Sequence, residues 1–247
     1  NINKLKSCKI IFIAVPTPTT PDGYDYSIVK NVLSLVPRNA IAVIKSTIQP
    51  TVTRQLQKDN PEIIVIHSPE FLSESTAAKD ASDPFMNIVG IDLENKKHVK
   101  AAKLVHSVLP KSKNNQTVSF EEAELIKYAH NCSGYTQIIF FNIMYDAARS
   151  IGANWNNIEQ ALKSDPYVPN RYASPIHKTG RGAGGHCFIK DFEAFKDFYK
   201  LNVIDSLGIK VLEAMRDKNI ELLFNSNKDM DLLEGVYGKK RINKKKK

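Results

Sequence analysis

The 247 residues are 42% hydrophobic and 25% charged, an ordinary balance for a folded chain with room for one large core or two modest ones. No apolar run approaches the roughly 20 residues of a membrane span, and Asn1 to Ser7 lead into a strand-like run with no secretory signal. The formal charge of +9 is concentrated: Lys239, Lys240, Arg241 and Lys244 to Lys247 are seven of the positive charges. The remainder is near neutral, so the basicity describes a solvated tail and not a nucleic-acid-binding face.

Three cysteines (Cys8, Cys132, Cys187) are too scattered for a disulfide framework or a metal site, and a reducing, cytoplasmic setting is the expectation. In chain order, Ile10 to Val15, Ile41 to Ile44, Ile63 to Ile66 and Asn87 to Ile91 are short apolar runs without polar alternation. Such runs read as strands buried on both faces of a parallel sheet. Helical patterns lie between or after them, at Ser27 to Val36, Thr51 to Lys58 and Glu94 to Leu109. The alternation predicts an α/β fold. Polar clusters follow the strand ends at Pro16 to Thr19, Lys45 to Thr47 and Ser68 to Glu70, where open sheets of this class bind ligands.

Lys111 to Asn115 break the pattern and read as a linker. A long helix follows from about Phe120 to Ile151, with Glu124, Lys127 and Asn131 on one face. Taken alone, those three could be a solvated stripe. Asn154 to Leu162 is a further helix, and Asp165 to Tyr172 an irregular loop rich in aromatic and amide groups. Gly180 to Gly185 then concentrate glycine just before Cys187, so the backbone there must pass close to something. The thiol is either a nucleophile at the lip of a cleft or a plain loop cysteine. Asp191 reads as the N-cap of a helix reaching Lys200, and Ser206 to about Phe224 as a last amphipathic helix.

Taken together, these pieces resemble the nucleotide-sugar 6-dehydrogenases, the UDP-glucose/GDP-mannose dehydrogenase family. The matching segments are Val15-Pro16-Thr17-Pro18-Thr19, Lys45-Ser46-Thr47, Ser68-Pro69-Glu70-Phe71-Leu72-Ser73-Glu74, Glu124 to Asn131 with Lys127 between, and Gly182 to Asp191. They stand in family order and cover residues 10 to about 200. The resemblance implies a partial Rossmann-like parallel sheet followed by an all-α central domain that forms a homodimer through its long helix. It also implies four-electron oxidation of the C6 alcohol of a nucleotide sugar, UDP-glucose foremost, with NAD as acceptor. Cys187 would be the nucleophile, passing through a thiohemiacetal and a thioester. Lys127 and Asn131 would stabilise oxyanions, Asp191 with Thr47 would hold a water or shuttle a proton, and Glu70 would be the base for hydrolysis. Val15, Pro16, Thr17, Ser46, Thr47 and Glu74 are the expected cofactor contacts. Glu70, Phe71, Leu72, Lys127, Asn131, Tyr172, Gly184 and Phe188 are the expected substrate contacts.

Some features depart from the family pattern. Tyr167 stands where relatives often carry an arginine, and Met86 near a second such position. No Gly-x-Gly-x-x-Gly turn precedes Ile10, and the glycines at 180 to 185 do not read as one, because neither a strand before them nor a helix starting within them is evident. The expected organisation is the later part of an NAD-binding domain over 1–118, a helical domain with the cysteine over 119–225, and a basic tail over 226–247. The N-terminal glycine turn and the C-terminal nucleotide-binding domain of the family are not found in these residues. The alternative to an enzyme is a non-catalytic nucleotide-sugar-binding or dimerisation module.

Overall fold

A computed structural model of the chain describes residues 5–243, with only the backbone of residues 240 and 243. The chain divides into two compact units, Asn1–Pro18 with Tyr24–Ala129, and Thr19–Gly23 with His130–Lys247. The boundary near residue 130 falls inside the long helix, later than the 118/119 junction expected from the sequence.

The first unit is a five-stranded sheet in the order β1 (Ile10–Ile13), β2 (Ile41–Ile44), β3 (Ile64–His67), β4 (Met86–Ile91) and β5 (Asn114–Ser119). All four residues of β2 are buried, because both faces of the sheet are covered. Ala42 and Ile44 join Val29 and Leu33 of α1 (Ser27–Leu33) and Leu56 of α2 (Val52–Asp59) on one face. Ile41 and Val43 join Ala101, Ala102 and Val105 of α4 (Lys96–Val108) on the other. Each buried Val, Leu or Ile side chain among them contributes roughly 1.5–3 kcal/mol by leaving water, which is why the apolar runs read so clearly.

The sheet is mixed. β1, β2 and β3 are parallel, but β4 meets β3 in an antiparallel bridge at His67 and Gly90. The connection between them holds only a 3-10 turn (Glu74–Thr76) and the six-residue helix α3 (Ala77–Ser82), too little helix to return the chain along the length of the sheet. β4 and β5 are parallel again across the 13-residue α4. The expected linker therefore opens the strand β5. At Gly90 a side chain would collide with Ala123 Cβ and crowd the Ser119 carbonyl, so glycine lets the start of α5 (Phe120–Ser150) lie close against the sheet.

The second unit is helical. It holds the remainder of α5, then α6 (Trp155–Ser164), α7 (Gly185–Asn202), α8 (Ser206–Asn225), α9 (Met230–Tyr237) and α10 (Lys239–Asn243). A short hairpin pairs Ile176–His177 with Gly180–Arg181. Tyr135 of α5 stacks on Phe192 of α7 with ring centroids 3.8 Å apart. Residues 230 to 237 and 239 to 243 are helical, with Leu233, Val236, Tyr237 and Ile242 in one core cluster with Ile189, Ile220 and Leu223. That corrects the tail expected from 226 onward: the apolar spacing of Leu233, Val236 and Tyr237 gives α9 a face to bury. Lys244 to Lys247 lie outside the described residues. Among the described residues no helix is long and apolar enough to cross a membrane, and no group of His, Cys, Asp and Glu could hold a metal ion.

Candidate active site

In the first unit, the carboxyl ends of β1 and β2 are tied side by side. The Val15 amide donates to Ser46 Oγ at 2.9 Å, and the Ser46 hydroxyl donates back to the Val15 carbonyl at 2.7 Å. The Thr17 hydroxyl and the Tyr24 hydroxyl both donate to the Thr47 carbonyl, at 2.9 and 3.0 Å. Four of the expected cofactor contacts, Val15, Thr17, Ser46 and Thr47, are thus brought together by parallel strand pairing. Pro16 projects exposed between them, and Glu74 is exposed in its 3-10 turn.

The end of β3 gathers charge. Lys45 Nζ lies 3.3 Å from Glu70 Oε2, and the Glu70 Oε1 accepts from the Phe71 amide at 3.0 Å. Burial holds the Lys45 ammonium below its ordinary range, with Glu70 opposing that shift. Lys127, 7% exposed, reaches from α5 to donate to the Glu70 carbonyl at 2.6 Å, and sits 5.5 Å from the Phe71 ring centre. The structure therefore brings Glu70, Phe71 and Lys127 together, while Leu72 is exposed. Met86 is half-buried at the start of β4. His67 is fully buried with Nε2 3.2 Å from the Ser46 carbonyl, and burial pushes its pKa down to about 3, so the ring is neutral.

Glu124 does something different from its neighbours on the helix. Its carboxylate accepts from the amides of Thr51 and Thr53 at 2.7 and 2.8 Å, capping α2, whose own N-cap side chain makes no such bond. It is fully buried, and burial raises its pKa to about 7 despite those bonds.

In the second unit, Asn131 and Asp191 are both buried, and Asn131 Nδ2 donates to Asp191 Oδ2 at 2.5 Å. Lys190 donates to the other carboxylate oxygen. Cys187 is exposed in the first turn of α7, one turn before Asp191 on the same helix. Cys132, by contrast, is largely buried, and burial pushes its thiol up. Tyr172 and Phe188 meet edge to face at 5.6 Å, and both close on Gly134, where a side chain would come within about 3 Å of each ring. Tyr167 is exposed.

The glycine stretch departs from its sequence reading in two ways. It does contain a short strand and it does start a helix, since α7 begins at Gly185 with Gly184 as N-cap. Asp191 is therefore not the cap but a buried residue in the second turn. The capping carboxylate comes from 44 residues on: Asp229 Oδ2 accepts from the Gly185 amide at 2.7 Å.

The neighbours that the glycines approach are also internal. Ser226 accepts from the Arg181 amide, Lys228 donates to the Gly182 carbonyl, and Asn219 bonds both the amide and the carbonyl of Ala183. A side chain at Gly184 would meet the Asp229 carboxylate. Arg181 is fastened to α5 through Asn142 and Asp146. Sequence reasoning missed Asn219, Ser226, Lys228 and Asp229. The run Asn225-Ser226-Asn227-Lys228-Asp229 signals a turn, but no sequence rule names what a turn will hold.

Residues 1–109 match the family model of the UDP-glucose/GDP-mannose dehydrogenase NAD binding domain, and residues 121–221 match the model of the same family's central domain. The chain belongs to this family. A UDP-glucose 6-dehydrogenase of Rickettsia bellii is 30% identical over 230 residues, covering 88% of this chain and 50% of that protein. The structure of a UDP-glucose dehydrogenase from Pyrobaculum islandicum matches with a TM-score of 0.76 at 25% identity, over 91% of this chain and 54% of that one. A UDP-D-ManNAc dehydrogenase from Pyrococcus horikoshii shares the fold with a TM-score of 0.73 at 23% identity, over 90% of this chain and 52% of that one. The chain spans about half the length of the curated relatives it matches.

Proposed function

We propose that the chain carries the catalytic residues of an NAD-dependent nucleotide-sugar 6-dehydrogenase, with UDP-glucose as the first substrate to test. Family membership supports the reaction class. The observation that carries the residue assignment is the buried Asp191, bonded to Asn131 one helical turn from an exposed Cys187. A buried carboxylate needs partners, and Asn131 and Lys190 supply them, which fixes Asp191 on the helix that carries Cys187.

The residues at the ends of β1 and β2 fit a dinucleotide, since ligands bind at the carboxyl ends of such sheets. Ser46 commits both its donor and its acceptor to Val15, so it acts by shaping the strand end. Val15, Pro16, Thr17 and Thr47 are left to touch the cofactor, together with Glu74. When bound, NAD supplies the hydride acceptor for both oxidations.

The protein's own steps follow from residue chemistry. The Cys187 sulfur attacks the C6 aldehyde, a C–S bond forms, and the carbonyl electron pair moves onto oxygen. Lys127 and Asn131 donate to that oxygen, with Asn131 oriented by Asp191. After the second oxidation the carbon is a thioester. Glu70, paired with Lys45, takes a proton from water as that water attacks the carbonyl. The C–S bond breaks, the thiolate leaves, and the uronic acid is released. Asp191 holds water or moves the first alcohol proton, a part that the family resemblance also gives to Thr47. Phe71, Leu72, Tyr172, Gly184 and Phe188 contact the sugar nucleotide, and a second copy of the chain packs along α5.

Absorbance at 340 nm with saturating NAD and a panel of nucleotide sugars tests the reading. Two NADH per uronic acid formed is the expected outcome. A folded chain that reduces no NAD with any member of the panel refutes it, and binding without reduction marks the non-catalytic module.

A further inference from the structure

The mechanism above leaves Asp229 unused, yet four observations converge on it. Its carboxylate accepts from the Gly185 amide at 2.7 Å, at the start of the helix that carries Cys187 two residues later. The N-cap Gly184 has no side chain to do this, and an added Cβ there would fall within 2.0 Å of the same carboxylate oxygen. Asp229 itself has φ 51°, as does Asn227, so the turn holds two non-glycine residues in the left-handed region. Asn and Asp are the non-glycine residues that enter that region most readily, so the sequence itself sets the shape of this turn. Finally, neighbouring Lys228 is buried and donates to the Gly182 carbonyl, so the same turn grips the stretch at two points.

A glycine N-cap with a carboxylate supplied from a distant turn differs from an ordinary cap in one physical respect. A Ser or Asn cap satisfies the amide without charge, whereas Asp229 places a negative charge at the positive end of the helix dipole. Cys187 lies in that same first turn, where unmatched amides would otherwise favour a thiolate. We propose that Asp229 is a positioning residue for Cys187: its carboxylate seats the first turn of the cysteine helix and, by its charge, restrains the sulfur's nucleophilicity. This rests on the reading of Cys187 as the nucleophile.

Other charged and titratable groups of the second unit share this surrounding. His186, Lys190 and Asp191 are on α7, Lys228 is in the turn, and His177 and Lys178 are on the hairpin, where they and Asp229 act on one another. Cys132 of α5 faces Asp191. Neutralising Asp229 removes its charge interaction with His177 and Lys228 and leaves all of these residues in place.

The test is the pH profile of Cys187 alkylation by iodoacetamide, read on the Cys187 peptide by mass spectrometry so that Cys8 and Cys132 do not contribute. Asp229→Asn keeps a capping oxygen and removes the charge. Its profile is expected to move down by about half a pH unit, with alkylation near neutrality roughly threefold faster. Asp231→Asn, an exposed acid two residues on, is expected to leave the profile in place. Asp229→Ser, another neutral cap, serves if the Asn variant does not fold. A wild-type profile in a folded neutral variant, or loss of fold in both, makes Asp229 a structural cap and overturns the proposal. Alkylation does not require turnover, so this result is separate from the catalytic reading, which fails if Cys187→Ser still forms acid.

Discussion

The two units hold their candidate residues in opposite ways. In the first, the residues hold one another: Ser46 fastens Val15, Thr17 reaches Thr47, and Lys45 and Lys127 both reach Glu70. Parallel pairing of β1, β2 and β3 already places these strand ends side by side. In the second, the glycine stretch has almost no side chains with which to fix itself, and it borrows them from residues 219 to 229. A sheet positions a site through its own backbone order. A glycine-rich approach to a nucleophile must be positioned from outside.

The largest expected effect is on the chemistry. Cys187→Ser lowers acid formation by more than about a thousandfold, because a hydroxyl is a far weaker nucleophile than a thiolate; turnover near wild type would remove the covalent mechanism. Lys127→Ala lowers kcat by about 10²–10³-fold with a smaller change in KM, as for loss of an oxyanion donor. An effect confined to KM would make Lys127 a binding residue.

The contrast between the units is sharpened by stability. Gly184→Ala drives a methyl group into the Asp229 carboxylate and is expected to cost about 1–3 kcal/mol in denaturant unfolding. A neutral result would mean that the 226–229 turn yields easily, and the contrast would fail.

The smallest expected effect is a pH slope in the first unit. The pKa of Glu124 rises on folding from 4.5 to about 7, so the folded state binds the extra proton. Its favourable contribution is complete below about 4.5 and is lost as pH rises through about 7. Glu124→Gln should flatten that decline in thermal melts, at a cost of about 1 kcal/mol for one impaired cap bond. An unchanged slope would show that Glu124 does not titrate in this range.

How much was legible in the sequence follows the same division. β2 and β3 were visible because two buried faces leave no polar alternation. β5 was not, because Asn114 to Thr117 lie exposed at the sheet edge and carry no apolar signal. Glu70, Lys127 and Cys187 were found through motif resemblance, and the first two are joined in the structure. Local pattern gives Asp191 the place of an N-cap, whereas the true capping group is 44 residues beyond Gly185, out of reach of any local rule. The basic run from Lys239 onward reads as a tail, and the polar turn at 226 to 229 carries no apolar signal to set it apart. Composition records that a turn is polar; only the fold records what its side chains grip.

The central claim is that Cys187 carries the reacting carbon between two oxidations. Glu70→Gln should slow hydrolysis of the thioester more than its formation. Intact-mass and peptide analysis of that variant, incubated with UDP-glucose and saturating NAD, therefore tests the claim most directly. An acyl adduct of the nucleotide sugar on Cys187 is the predicted result. NADH formation with no adduct on Cys187, or with the adduct on Cys8 or Cys132, would contradict it.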